Sequence, residues 1–225
     1  MPLKTDNVIK NTLIITNQDL QFKGGIAVLV IALAYMICNI RFIVILKPDR
    51  VIDPLETIAF LVEKDAIRNI TMLYIYVTAS FALVVLVQTL YERLRFNSPK
   101  MMKTTTVFGF FWAGMNLIIS MDTVSNLYNK DPSQAFTVWA AATIIFSGLG
   151  GGVEMVGGFW TLFISWAALR ARVFPKALNY LGLVVGAAGI VTIVPIFEAL
   201  TIVFVWGQIP WFICLGFTLL RSKYS

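Results

Sequence analysis

The chain has 225 residues, of which 58% are hydrophobic and only 13% charged, with a formal net charge of +6 and no histidine. That balance inverts the one expected of a water-soluble domain and points to an integral membrane protein. The missing histidine removes histidine-ligated haem, histidine-based metal sites and the serine and histidine pairs of hydrolytic enzymes.

Six apolar runs are long enough to cross a hydrocarbon core of roughly 30 Å, which takes about 20 helical residues. The first covers about 24–46 and ends just before Lys47-Pro48-Asp49, carrying Cys38, Asn39 and Arg41 within it. It is too long for the apolar core of a signal peptide and lacks a small-residue cleavage site after it, so it reads as an uncleaved first span. The connection that follows contains Asp53-Pro54-Leu55-Glu56, the form of a helix start with Asp53 as N-cap and Pro54 in the first helical position. Apolar residues then recur at helical spacing, which predicts an amphipathic interfacial helix over about 54–68. Docking of a partner is the other use open to that face.

The second and third spans are predicted over about 70–90 and 107–125, with Gln88 in the former and Asn116 and Asp122 in the latter. A fourth apolar region, 135–169, is too long for one crossing, since about 35 helical residues measure roughly 52 Å. Within it residues 148–159 read GLGGGVEMVGGF, one carboxylate, Glu154, among six glycines. Glycine is costly inside a helix, so the run at 148–152 marks a break. It divides the region into a short interfacial helix of about 135–147 and a crossing of about 150–169, with a single long tilted helix as the alternative. On a helix the neighbours of Glu154 along its own face are Gly150, Gly151, Gly157 and Gly158, none of which has a side chain. Thr143, Ser147, Thr161 and Ser165 continue that small, polar stripe. It predicts close backbone packing, or room beside the acid for a ligand or another helix.

The fifth and sixth spans cover about 177–195 and 199–220, with Glu198 at the turn between them and Gln208 and Pro210 in the last. Pro210 removes one backbone amide and predicts a bend, with Gln208 at hand for the freed group. Transmembrane strands would alternate every second residue, and these runs are continuous. The expected fold is therefore all-α, a polytopic transmembrane helical bundle of six spans forming one domain, 1–225.

Basic residues set the expected orientation. The N-terminus, the connections after spans two and four, and the C-terminus carry most of them, including Arg93, Arg95, Arg170, Arg172, Lys176 and Arg221. The opposite side has Lys47, Arg50, Lys64, Arg68 and Lys130, diluted by acids. Both termini are thus expected in the cytoplasm, and the same bias accounts for the net charge without any nucleic-acid partner. Cys38 and Cys214 fall inside spans, where small apolar behaviour is expected rather than a disulfide.

No phosphate-binding loop, zinc-protease helix motif or intramembrane lysine is present, so neither catalytic machinery nor a cofactor is implied. What remains inside the spans is polar and sparse: Asn39, Arg41, Asn116, Asp122, Glu154, Glu198 and Gln208 are the candidate ligand- or partner-binding residues. Intramembrane charges are costly, by roughly 3 kcal/mol each at the centre, and face the bundle interior. Arg41, Asp122, Glu154 and Glu198 all fall in the outer half when depth is counted along the helices. Arg41 is expected to pair with Glu154 or Asp122; alternatively the group lines an acidic, outward-facing pocket.

The C-terminal third, Arg170-Ala-Arg172-Val-Phe-Pro175-Lys176-Ala-Leu178 followed by Leu181-Gly182, Gly186-Ala-Ala-Gly189, Gly207-Gln208 and Trp211, resembles a family of small bacterial integral membrane proteins known only as a domain of unknown function. The resemblance covers about 148–221 and implies six helices in a bacterial cytoplasmic membrane; it implies no activity. Two functions follow as expectations. One is an accessory membrane component that binds a ligand, lipid or protein partner through the glycine-framed site, and the other is a transporter or receptor for a small cationic or amphipathic molecule.

Overall fold

The computed structural model of the chain describes residues 3–41, 66–128, 137, 141 and 152–221, with side chains at 18–40, 73–118, 137, 141 and 152–221. Nearly all of both predicted interfacial helices, the end of the first span, and Gly150 and Gly151 lie outside these. Among the described residues the fold is all-α: α1 Leu3–Arg41, α2 Ala66–Leu94, α3 Pro99–Tyr128, α4 Val153–Ala171, α5 Lys176–Val191, a 3-10 turn Pro195–Phe197, and α6 Leu200–Arg221. Gln18–Ile40, Leu73–Leu94 and Pro195–Arg221 are long and apolar enough to cross a membrane. α4 contains Glu154, Arg170 and two glycines, which dilute its hydropathy. α5 has 16 residues and reaches about 24 Å.

The helix boundaries have local causes. At the end of α2 the amides of Asn97 and Ser98 both return to the Leu94 carbonyl, and Pro99 then starts α3 in a position that needs no amide. α4 begins at Gly152, whose φ of 83° and ψ of −157° belong to glycine alone, so no helix runs continuously through the fourth apolar region. α4 ends on Arg172 at φ 55°, with the Val173 amide on the Ala168 carbonyl, the six-to-one bond of a left-handed helix cap. Arginine holds that conformation at a cost, and the side chain is exposed. Arg172→Gly is expected to raise stability by up to about 1 kcal/mol, read as a higher midpoint in thermal unfolding of the detergent-solubilised protein. An unchanged or lower midpoint would show that the guanidinium has a role there.

The six helices form a closed ring in which each packs against its neighbours in sequence and α6 returns to α1. Neighbours are antiparallel. Thr89 and Arg93 of α2 meet Leu20 and Gln21 of α1; Gly216 of α6 lies against Val28 and Leu29 of α1; Gly158 of α4 lies against Gly186 and Gly189 of α5. The start of the apolar part of α1 and the end of α6 consequently share one end of the ring. There the Gln21 side chain donates to the Leu219 carbonyl at 2.8 Å and accepts from Arg93, whose guanidinium also covers the ring of buried Phe174 at 5.4 Å. The membrane-length part of α1 begins at Gln18, ahead of the predicted residue 24, and Gln21 within it is polar in sequence but buried in the ring.

The outside of the bundle is apolar and the inside is partly polar. Phe22, Leu33, Ile40, Phe81, Val184 and Phe217 are exposed, whereas Gln21, Thr161, Ser165, Asn179 and Gln208 are buried. Water would penalise both halves of that pattern, and hydrocarbon matches the first. The ring interior is filled by an aromatic layer. Trp112 of α3 stands 5.6 Å from Trp160 of α4, which meets Trp211 of α6 edge-on at 5.9 Å, and Phe212 stacks on Trp112 at 6.3 Å.

Candidate functional site

Above the aromatic layer, at the end of the ring where α1 and α3 finish and α2, α4 and α6 begin, lies a cavity of about 420 Å³. Five of the six helices line its wall. α1 gives Ala34, Tyr35, Cys38 and Asn39, α2 gives Ile75, Tyr76 and Ala79, and α6 gives Thr201, Ile202, Val205 and Trp206. These residues recur at one-, three- and four-residue steps, which place them on one face of each helix. α3 contributes Asn116, and α4 contributes Val153 and Glu154.

Glu154 owes its position to the glycine before it. Gly152 starts α4 in a backbone conformation that places Glu154 in the first turn, and a Glu154 carboxylate oxygen comes within 3.0 Å of where a Cβ on Gly152 would stand. The free amides of a first helical turn favour a carboxylate, so an acid can be carried here more cheaply than in mid-helix. The salt bridges among the described residues, Lys23 with Asp19 and Arg95 with Glu92, lie elsewhere.

Both asparagines of the wall are oriented by their own helices. The Asn39 side-chain amide donates to the Tyr35 carbonyl at 2.7 Å, and that of Asn116 donates to the Trp112 carbonyl at 2.9 Å. Because a carbonyl accepts only from a donor, each amide nitrogen is turned to its helix and each side-chain oxygen away from it. The polar part of the wall therefore holds three acceptors, a carboxylate and two amide oxygens, beside the donor-bearing Tyr35, Tyr76, Thr201 and Trp206.

Of the candidates read from sequence, Glu154, Asn116 and Asn39 come together in this cavity. Two do not join them. Glu198 follows the 3-10 turn, with its amide on the Pro195 carbonyl, and is exposed outside the cavity. The depth count put it at the right level and could not reveal on which side of the ring it points. Gln208 is fully buried and lies two helical turns below Thr201, where its side-chain nitrogen donates to the Thr161 hydroxyl at 2.8 Å. It ties α6 to α4 and does not serve the backbone group freed by Pro210, and α6 runs on through Pro210 without interruption. Arg41 ends α1 and Asp122 lies within α3, with side chains outside those described, so the expected pairing of Arg41 falls outside them too.

The two described glycines of the predicted face serve different neighbours. A Cβ on Gly157 would stand 2.6 Å from the Trp112 ring and 2.9 Å from Phe204, whereas one on Gly158 would stand 2.7 Å from the Gly186 carbonyl oxygen. Gly157 thus admits the aromatic layer, and Gly158 admits the α5 backbone. Cys214 is exposed on the outside of the ring and Cys38 lines the cavity half-buried, so neither is the buried apolar filler expected of it.

No family model, curated protein or solved structure matches the chain. The site is consequently argued from its own chemistry. Tyr35, Tyr76, Trp206 and Thr201 belong to it and were not singled out from sequence. In spans rich in aromatic residues nothing separates a ring that lines a pocket from one that packs, as Tyr35 shows by doing both: its ring also meets Phe212 edge-on at 5.6 Å. Among the described residues no three histidine, cysteine or acidic side chains converge as metal ligands would.

Proposed function

We propose that the chain is an integral membrane component that crosses the bilayer six times with both termini in the cytoplasm, and that it works by binding rather than catalysis, taking a ligand or a partner's side chain into the Glu154 cavity. The observation that carries this is the convergence of Asn39, Asn116 and Glu154, from three different helices, on one cavity of about 420 Å³, the size of pocket that holds a small molecule. The topology is supported by the ring itself: an even number of antiparallel helices returns α6 to the start of α1, and Arg93, Arg95, Arg172 and Arg221 gather at that end. The resemblance of residues 148–221 to uncharacterised six-helix proteins of the bacterial cytoplasmic membrane belongs to the same proposal. The aromatic layer of Trp112, Trp160 and Trp211 closes the ring beneath the cavity, which favours a binding site over a passage and ranks the accessory or receptor role above transport.

The test is retention. Wild-type protein purified in native-lipid particles is expected to carry a small molecule or stoichiometric partner detectable by mass spectrometry. Ala79→Trp, which fills the cavity from α2, is expected to lose it while keeping its helical content and melting temperature. If filled and wild-type proteins carry the same complement, the cavity is not where this protein binds.

A further inference from the structure

We propose that the occupant of this cavity is a hydrophobic organic monocation, an ammonium group bearing alkyl or aryl substituents; this rests on the reading of the Glu154 cavity as the binding site. Its polar wall and its apolar wall select for different parts of such a molecule.

The polar wall selects charge. Tyr35, Tyr76, Thr201 and Trp206 carry donors on this wall, but an ionised Glu154 has only acceptors and repels a second negative charge, so the site disfavours an anion. An uncharged hydrophobe would fit the volume but would leave the half-buried carboxylate without a counter-charge from the described wall residues, a costly arrangement in a low-dielectric site. A single acid among the described wall residues matches a single positive charge.

The apolar wall selects against a bare metal ion. Hard cations take about six or more oxygen ligands at roughly 2.0–2.6 Å. Here one carboxylate, two amide oxygens and the hydroxyls of Thr201, Tyr35 and Tyr76 are spread around about 420 Å³, and the rest of the lining is Cys38 and aliphatic or aromatic groups. Tyr35, Tyr76 and Trp206 bring three aromatic rings to the same wall. Aromatic faces attract an alkylammonium group through the ring quadrupole, most strongly for tryptophan, and without the dehydration a small ion would require. Carboxylate, amide oxygens and rings on one cavity thus describe a single ligand: a cationic head between Glu154 and the rings, with an apolar body against Ile75, Ile202 and Val205.

The experiment titrates benzyltrimethylammonium, its uncharged carbon isostere neopentylbenzene, sodium chloride and benzenesulfonate into the full chain in lipid nanodiscs, with binding read by calorimetry and thermal shift. The expected result is that benzyltrimethylammonium binds and stabilises the wild type. Glu154→Gln weakens it about tenfold, Trp206→Leu about fivefold, and millimolar sodium does not compete. Ala79→Trp abolishes binding, with Ile202→Trp as the second filling variant if the first does not fold. Equal binding of neopentylbenzene, untouched by Glu154→Gln but abolished by Ala79→Trp, would overturn the cationic class and leave the cavity standing as the site. Sodium competition or preferential binding of benzenesulfonate would also overturn the class. Ammonium binding that survives both filling variants would instead overturn the cavity reading on which the class rests.

Discussion

Gly158→Ala is expected to destabilise the bundle by about 3 kcal/mol, measured as loss of folded fraction in a detergent titration. The added methyl would stand 2.7 Å from the Gly186 carbonyl oxygen, 2.8 Å from the Ile190 nitrogen and 2.9 Å from the Gly189 carbonyl carbon. All three are backbone atoms, so no rotamer change relieves the contact and α4 and α5 must separate. The contact is one step in a series, since Gly182 lies against Ser165, Gly186 against Leu162, and Gly189 against the Glu154 carbonyl. In hydrocarbon such helices gain little from hiding apolar surface and depend on close packing, so a few tenths of an ångström along the seam removes most of what joins them. Gly157→Ala offers the control. Its methyl would meet the side chains of Trp112 and Phe204, whose rings can shift within the aromatic layer without parting two helix backbones, and a smaller loss is expected. Equal losses for the two would show that the seam is not the sensitive element.

Trp160→Ala is expected to cost about 3–5 kcal/mol in the same assay, and Trp160→Phe close to nothing. Trp160 is fully buried between Trp112 and Trp211, so truncation opens a large void at the centre of the ring. Against that loss stands a gain, because its indole N–H is buried with no hydrogen-bond partner among the described residues, and an unmet donor costs roughly 1–3 kcal/mol. For alanine the void outweighs the relieved donor. For phenylalanine most of the packing survives and the donor is gone, so the two terms nearly cancel. A large loss on Trp160→Phe would mean that the indole nitrogen is engaged by a group from outside the described residues.

How much of this was legible depended on whether the signal was local. Each described helix contains or overlaps an apolar run, because the run itself decides what hydrocarbon accepts, although α1 and α3 begin well before theirs, at Leu3 and Pro99. The break at Gly152 was legible for the same reason, five residues of glycine-rich chain being a local feature. Glu154, Asn39 and Asn116 could be picked out as sparse polar groups inside apolar runs, and the depth of Glu154 follows from counting along its helix. Azimuth does not. Glu198 faces outward and Gln208 crosses to Thr161 because of how neighbouring helices are rotated, which no single span encodes. Gln21 escaped notice for a related reason: its partners, Arg93 and the Leu219 carbonyl, are 72 and 198 residues away. The aromatic lining had no signal distinct from the general richness in aromatic residues.

The return of α6 to α1 also imposes an order on biogenesis. A chain emerging from the ribosome exposes Gly24, Gly25 and the Gln21 amide on α1 long before Leu219 and Leu220 have been made. Until then that edge of α1 must be sheltered by the insertion machinery or tolerated by lipid, with only α2 beside it. Joining of the two edges therefore cannot precede synthesis of α6. A polypeptide that stops before α6 leaves an open arc in which the Gln21 amide lacks the Leu219 carbonyl.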